Sequence, residues 1–151
     1  MEVNGWAIKP GANLTGADLI RANLRFLDMD GANLDQADLT RAALYGTKLR
    51  NTNLNEANFT DANLSSADLT YAFGTDTNFT DANLSYACMK EAKLVGANFT
   101  HADLTWADLT GADLRNANLT NAYLRNSKLA DANFAGADMS GATMPDGTIH
   151  D

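Results

Sequence analysis

At 151 residues, 45% of them hydrophobic, the chain is long enough to bury a core as one domain, and its formal net charge of −8 argues against a surface that binds polyanions. No direct binding of nucleic acid is therefore expected. The single Cys88 excludes an internal disulfide. Residues 1–11 show neither an apolar run nor a small-residue cleavage pattern, and no stretch approaches a membrane span, so the sequence predicts a cytoplasmic protein without membrane association.

In chain order, residues 1–11 read as an N-terminal cap segment, with Trp6 and Ile8 folding over the first coil and Pro10 and Gly11 turning the chain into register. Residues 12–151 read as one domain built from a single unit, Ala-Asn/Asp-Leu-x-x, which recurs without insertion or deletion. Twenty-eight units fit; the central residue, here i, is Leu in 18, Phe in four and Met in four, and i−2 is Ala in 22. A period of five suits neither a helix nor a plain strand. On an extended segment, i−2 and i point to the same side. Five is odd, so the chain must bend at the two x residues to keep every such pair inside. Asn or Asp at i−1, present in 19 units, suits such a bend by bonding nearby backbone.

Longer correlations set the size of a coil. Phe59, Phe79 and Phe99 are spaced by twenty, as are Thr40, Thr60, Thr80, Thr100 and Thr120. Four units thus make one square turn, which predicts an all-β solenoid of about seven coils, with Leu24, Leu44, Leu64, Leu84, Leu104 and Leu124 forming one buried column. At about 4.8 Å per coil the rod is about 34 Å long.

Units such as Ala-Asn-Leu-Thr-Gly at 12–16 and Ala-Asp-Leu-Thr-Gly at 107–111 resemble the pentapeptide-repeat family over about nine-tenths of the chain. The resemblance implies a right-handed quadrilateral β-helix. The closing Met-Pro-Asp-Gly-Thr-Ile-His-Asp at 144–151 is similar to endings of bacterial, especially cyanobacterial, members. The family includes DNA mimics that protect type II topoisomerases, and these typically carry a C-terminal dimer module beyond their repeats.

Function is sought on the outward positions. No Lys or Arg occurs between residues 51 and 89, where stacking places Glu56 over Asp76 and Asp61 over Asp81 as a candidate acidic patch; the alternative is a solvated acidic surface, with exposed like charges screened within about 10 Å. Outward aromatics gather on one wall at Phe26, Tyr45, Tyr86, Trp106 and Tyr123, with Tyr71 on the next, and exposed aromatics with a polar tip favour protein interfaces. They form the candidate partner-binding surface. At Gly74 the core lacks a Leu-sized plug, which predicts that Phe73 packs over the gap or that the coil bulges. Phe134, Met139, Met144 and Ile149 close the last coil without a cover, a candidate contact for a weak end-to-end homodimer.

Catalysis has no footing in the repeat. His101 and His150 lie more than two coils apart, and no metal-ligand spacing, phosphate loop or nucleophile motif is present, so no cofactor, metal or enzyme activity is expected. Cys88 stands at i−1, where it reads as a replaced Asn rather than a reactive thiol. The sequence thus points to a non-enzymatic scaffold that binds an unidentified protein; the family resemblance alone implies the alternative, a DNA mimic that binds and protects or inhibits a type II topoisomerase.

Overall fold

The five-residue unit uses every backbone donor it has, as the computed structural model, which describes residues 1–151, shows. In unit 62–66, Ala62 N–H closes the preceding corner on Phe59 O (2.9 Å), and Asn63 N–H reaches back one coil to Ala42 O (3.0 Å). Leu64 N–H and Ser66 N–H reach forward to Asn83 O (2.7 Å) and Ser85 O (2.9 Å). The fifth donor, Ser65 N–H, bonds the Asn63 side-chain Oδ1 at 3.0 Å. Asn or Asp at i−1 is therefore a structural part: without it, a part-buried N–H at each corner loses its partner. Where i−1 is another residue, an acceptor one coil back can substitute, as for Arg50 N–H on Asp30 Oδ1 and Thr75 N–H on Asn55 Oδ1, both at 2.9 Å.

The corner itself is made at i+2. Every non-glycine residue at that position from Arg21 to Asp131 is left-handed, with φ between 53° and 60°. Parallel bridges join i−1 residues twenty apart, from Asn13↔Asn33 to Tyr123↔Thr143, and stack four walls. Walls 1 to 4 carry the core residues that begin at Leu14, Leu19, Leu24 and Met29. The fold is a right-handed quadrilateral β-helix. The Leu column of wall 3 is buried throughout, and on wall 2 the rings of Phe59, Phe79 and Phe99 stack at 5.1 and 4.9 Å. Fully burying each such side chain stabilises by about 1.5–3 kcal/mol before chain entropy is charged.

The two ends differ. Strands β1 (Glu2–Val3) and β2 (Trp6–Ala7) form an antiparallel hairpin through a turn at Asn4 (φ 52°) and Gly5 (φ 82°), the left-handed pair such tight turns need. Ile8 is buried, Val3 and Trp6 pack on the core, and Leu14, Leu19, Leu24 and Met29 of the first coil are sealed beneath. At the far end the solenoid register stops at residue 144. Pro145 occupies i+1, the left-handed residue shifts to Gly147, and the chain reverses so that Ile149 pairs antiparallel with Thr143. Ile149 does not take the core place expected of it: it is 61% exposed, and the last coil has three walls of regular pairing. Leu129, Phe134, Met139 and Met144 are only partly covered.

Gly74 also departs from expectation. Phe73 does not swing inward; it keeps its outward i−1 place, bridging Asn53 and Lys93, and is 43% exposed. The space is taken from inside. A Cβ on Gly74 would lie 2.6 Å from Thr77 Oγ1 and 2.8 Å from the Leu54 carbonyl carbon, so Thr77 and the neighbouring backbone already fill the site of the missing side chain.

Candidate functional site

Left-handed corners aim their side chains along the rod. A Cβ on Gly46 would sit 2.9 Å from the Phe26 ring, so Phe26 lies over the next corner of its own column, where Tyr45 meets it edge-on at 5.2 Å and 89°. Two coils further along that corner, Tyr86 and Trp106 stack at 6.2 Å with their planes 1° apart. Both face solvent, at 62% and 55% exposure. Tyr123 stands on wall 3 beside the same corner, also exposed, whereas Tyr71 is on the corner after wall 4. The sequence-predicted aromatics other than Tyr71 thus share wall 3 and its outgoing corner.

Wall 3 carries little charge. Through its first six coils the outward residues flanking each core Leu include one carboxylate, Asp103, whose Oδ1 accepts from Thr105 N–H (2.9 Å) and Oγ1 (2.6 Å). They also include two exposed guanidinium groups, Arg25 and Arg125, and neither forms an ion pair. These arginines were not singled out from the sequence. The signal was available, since no Asp or Glu occupies the positions twenty residues away that would stack on them.

Elsewhere six of the Lys and Arg are paired with carboxylates, Lys9, Arg21 and Lys93 being the exceptions. The predicted acidic patch divides over two corners, one on each side of wall 2: Glu56 and Asp76 on the first, Asp61 and Asp81 on the second. Glu56 accepts from Gln36 Nε2 (3.0 Å), Arg41 pairs with Asp61 (3.2 Å), His101 lies 3.5 Å from Asp81, and Asp76 covers Gly96. Wall 4 is a ladder of alternating sign, in which Arg50 contacts Asp30 (2.5 Å) and Asp68 (3.8 Å), and Lys90 and Lys128 share Asp108 (3.4 and 3.6 Å). Burial opposes ionisation of Asp30, but the Arg50 hydrogen bonds and charge prevail and hold its carboxyl below the ordinary value. Asp108 is held low in the same way by Thr110 and Lys90. Cys88, on this wall, is part-buried with its Sγ 3.2 Å from Thr70 Oγ1.

Wall 2 carries a polar ladder over its middle coils. Thr80 Oγ1 donates to Asn78 Oδ1 (2.6 Å), while Asn78 Nδ2 donates to Thr60 Oγ1 (3.1 Å) one coil back. Hydroxyls engaged in this way are committed to the rod; wall 1 offers one exposed aromatic beside a free base, Phe73 next to Lys93, whereas wall 3 and its corner gather five aromatics with two free guanidiniums.

The sequence profile for pentapeptide repeats matches in 8 copies spread over residues 7–36, 17–56, 37–73, 57–94, 77–116 and 107–146. The chain belongs to the pentapeptide-repeat family. Among solved structures it is similar to HetL, a pentapeptide-repeat protein involved in heterocyst differentiation regulation from the cyanobacterium Nostoc sp. strain PCC 7120, with 38% identity over 93% of this chain and a TM-score of 0.74. It spans 62% of HetL's length. Rfr23 from the cyanobacterium Cyanothece 51142 shares 34% identity over 69% of this chain and 64% of its own, with a TM-score of 0.40. QnrB1, a plasmid-mediated fluoroquinolone resistance protein, shares 16% identity over 87% of this chain and 83% of its own, with a TM-score of 0.45, a likeness too distant to carry function. No curated protein matches. No helix is long and apolar enough to cross a membrane.

Proposed function

We propose that the protein is a rigid, non-enzymatic scaffold that docks another protein on wall 3 and the corner beside it. The observation that carries this is the exposed Tyr86–Trp106 stack on corners closed by hydrogen bonds from Ala87 N–H to Leu84 O and from Ala107 N–H to Leu104 O, both at 3.0 Å. Aromatic anchors held in one geometry lose little side-chain entropy on binding, which is the property that makes Tyr and Trp frequent interface hot spots. Both histidines have local partners: His101 lies between Asp81 and Asn121, and His150 lies in the C-terminal fold-back. The family is generally one of structural or interaction proteins, consistent with the same reading.

The test is an affinity capture from the native host with wild-type protein and a Tyr86→Ala, Trp106→Ala double variant in parallel. Proteins retained by the wild type and lost by the variant support the wall as the docking site; an unchanged set of retained proteins rejects it. The DNA-mimic alternative draws on the acidic corners, yet Asp61 and Asp81 face Arg41 and His101 there. A supercoiling assay on a type II topoisomerase decides it: protection or inhibition at stoichiometric protein would favour mimicry over the scaffold.

A further inference from the structure

Arg25 and Arg125 stand in the same outward column of wall 3, in its first and sixth coils, and the aromatic corner runs between them. Each is exposed and without a carboxylate partner, although the protein carries 19 acidic residues against 11 basic ones and pairs six of its Lys and Arg elsewhere. A wall that keeps its acids to one hydrogen-bonded Asp103 and leaves two guanidiniums free differs in sign from the molecule as a whole. One further carboxylate, the exposed Asp146, ends the corner beside wall 3 without pairing to Arg125, and charge on the other faces beyond about 8 Å is screened in physiological salt. The two acids on the corner leading into wall 3, Asp61 and Asp81, face Arg41 and His101.

Resting on the docking wall proposed above, the geometry points to a partner segment that lies extended along the rod, seats apolar or aromatic side chains against Tyr86 and Trp106, and offers a carboxylate to each of Arg25 and Arg125. Five coils separate the two guanidiniums, about 24 Å at the spacing of hydrogen-bonded strands. An extended chain covers about 3.3 Å per residue, so the two acids of the ligand stand about seven residues apart with the apolar residues between them. Arginine favours carboxylates here because its planar fork makes two parallel hydrogen bonds. A basic segment would meet two unpaired positive charges and is selected against.

The experiment is selection of a displayed random 12-residue peptide library on the immobilised full chain, followed by synthesis of the strongest binder. The expected sequences carry two Asp or Glu about seven residues apart around an apolar centre. Their affinity falls about tenfold or more in an Arg25→Glu, Arg125→Glu double variant and does not change when Lys93 of wall 1 is reversed to Glu. All three positions are exposed, and thermal unfolding verifies that each variant is folded. Binders that need Tyr86 and Trp106 but lack paired acids, or that ignore the arginine reversal, overturn the acidic-ligand inference and leave the docking wall standing. Binders indifferent to Tyr86→Ala, Trp106→Ala, or no enrichment at all, overturn both.

Discussion

Thr77 donates its hydroxyl to the carbonyl of Leu54, one coil below, at 2.8 Å, from the place where a side chain on Gly74 would sit. The Thr77 hydroxyl and the Leu54 backbone thus occupy the space that a side chain at Gly74 would need. Thr47 does the same for Leu24 O at 2.8 Å, so a hydroxyl at i−2 has a standing acceptor in the coil beneath.

From that pairing, Gly74→Leu is expected to destabilise the protein, even though it restores the repeat consensus. Its Cβ would lie 2.8 Å from the Leu54 carbonyl carbon, and backbone cannot move aside as a flexible side chain can. Overpacking of this kind costs about 1–3 kcal/mol. A urea titration comparing the midpoints of wild type and variant is the measurement; an equal or higher midpoint contradicts the account. Phe73→Asn, at an exposed position, should move the midpoint little.

Ser127 shows the pairing failing. It occupies i−2, is buried, and its Oγ has no hydrogen-bond partner. A buried hydroxyl without a partner costs about 1–3 kcal/mol, so Ser127→Ala, which returns the consensus small residue, should raise stability by about 1 kcal/mol. Calorimetry showing a lower melting temperature for this variant would reject the assignment.

The period of five, the coil of twenty and the stacked Phe ladder were legible because residues that stack share an environment and so share identity. The left-handed corner was also written there, though less openly. No Val, Ile or Thr occurs at i+2, where φ is positive, while Thr fills ten of the i+1 places beside it, as expected if branched Cβ atoms are kept out of left-handed backbone. What could not be read was any event that depends on distance between coils. The Thr77 bond to Leu54 spans 23 residues, and the chain reversal at Pro145 replaces a solenoid strand with an antiparallel one while keeping residues of the right type at the repeat positions. The aromatic wall was visible as a column; the free arginines on it were legible as well, as bases with no acid twenty residues away, and went unnoticed beside the aromatics.

Acid should weaken the fold in a defined window. Burial works against the ionised forms of Asp30 and Asp108, yet Arg50 for the one and Thr110 with Lys90 for the other hold them below the ordinary value. Hydrogen bonds from Arg115 hold Asp113 low, and those from Ser140 hold Asp138 low. Groups whose folded value is depressed stabilise the fold above the unfolded carboxyl value of about 3.9 and lose that contribution as pH falls through the folded values. The urea midpoint should therefore be level above about pH 5 and decline below about pH 4. A midpoint that holds down to pH 2 would show that these carboxylates contribute nothing.

The asymmetry of the two ends predicts self-association at one of them. At the N-terminal end the hairpin seals Leu14, Leu19, Leu24 and Met29, whereas at the other end the fold-back pairs only with wall 3, through Gly141, Ala142 and Met144. Phe134 and Met139 stay partly covered with Ile149 exposed nearby, and the outer strand edges of walls 1 and 2 at Asn133 and Asp138 are unpaired. Unpaired edges over apolar side chains favour pairing with a second chain. One end of a square rod is small, and interfaces well under about 1,200 Å² are usually weak. The 151-residue chain should therefore populate a concentration-dependent dimer through these ends. Sedimentation across a hundredfold range of concentration reads it, and Met139→Asp, Ile149→Asp should shift the distribution to monomer. A single monomeric species at the highest concentration would refute it.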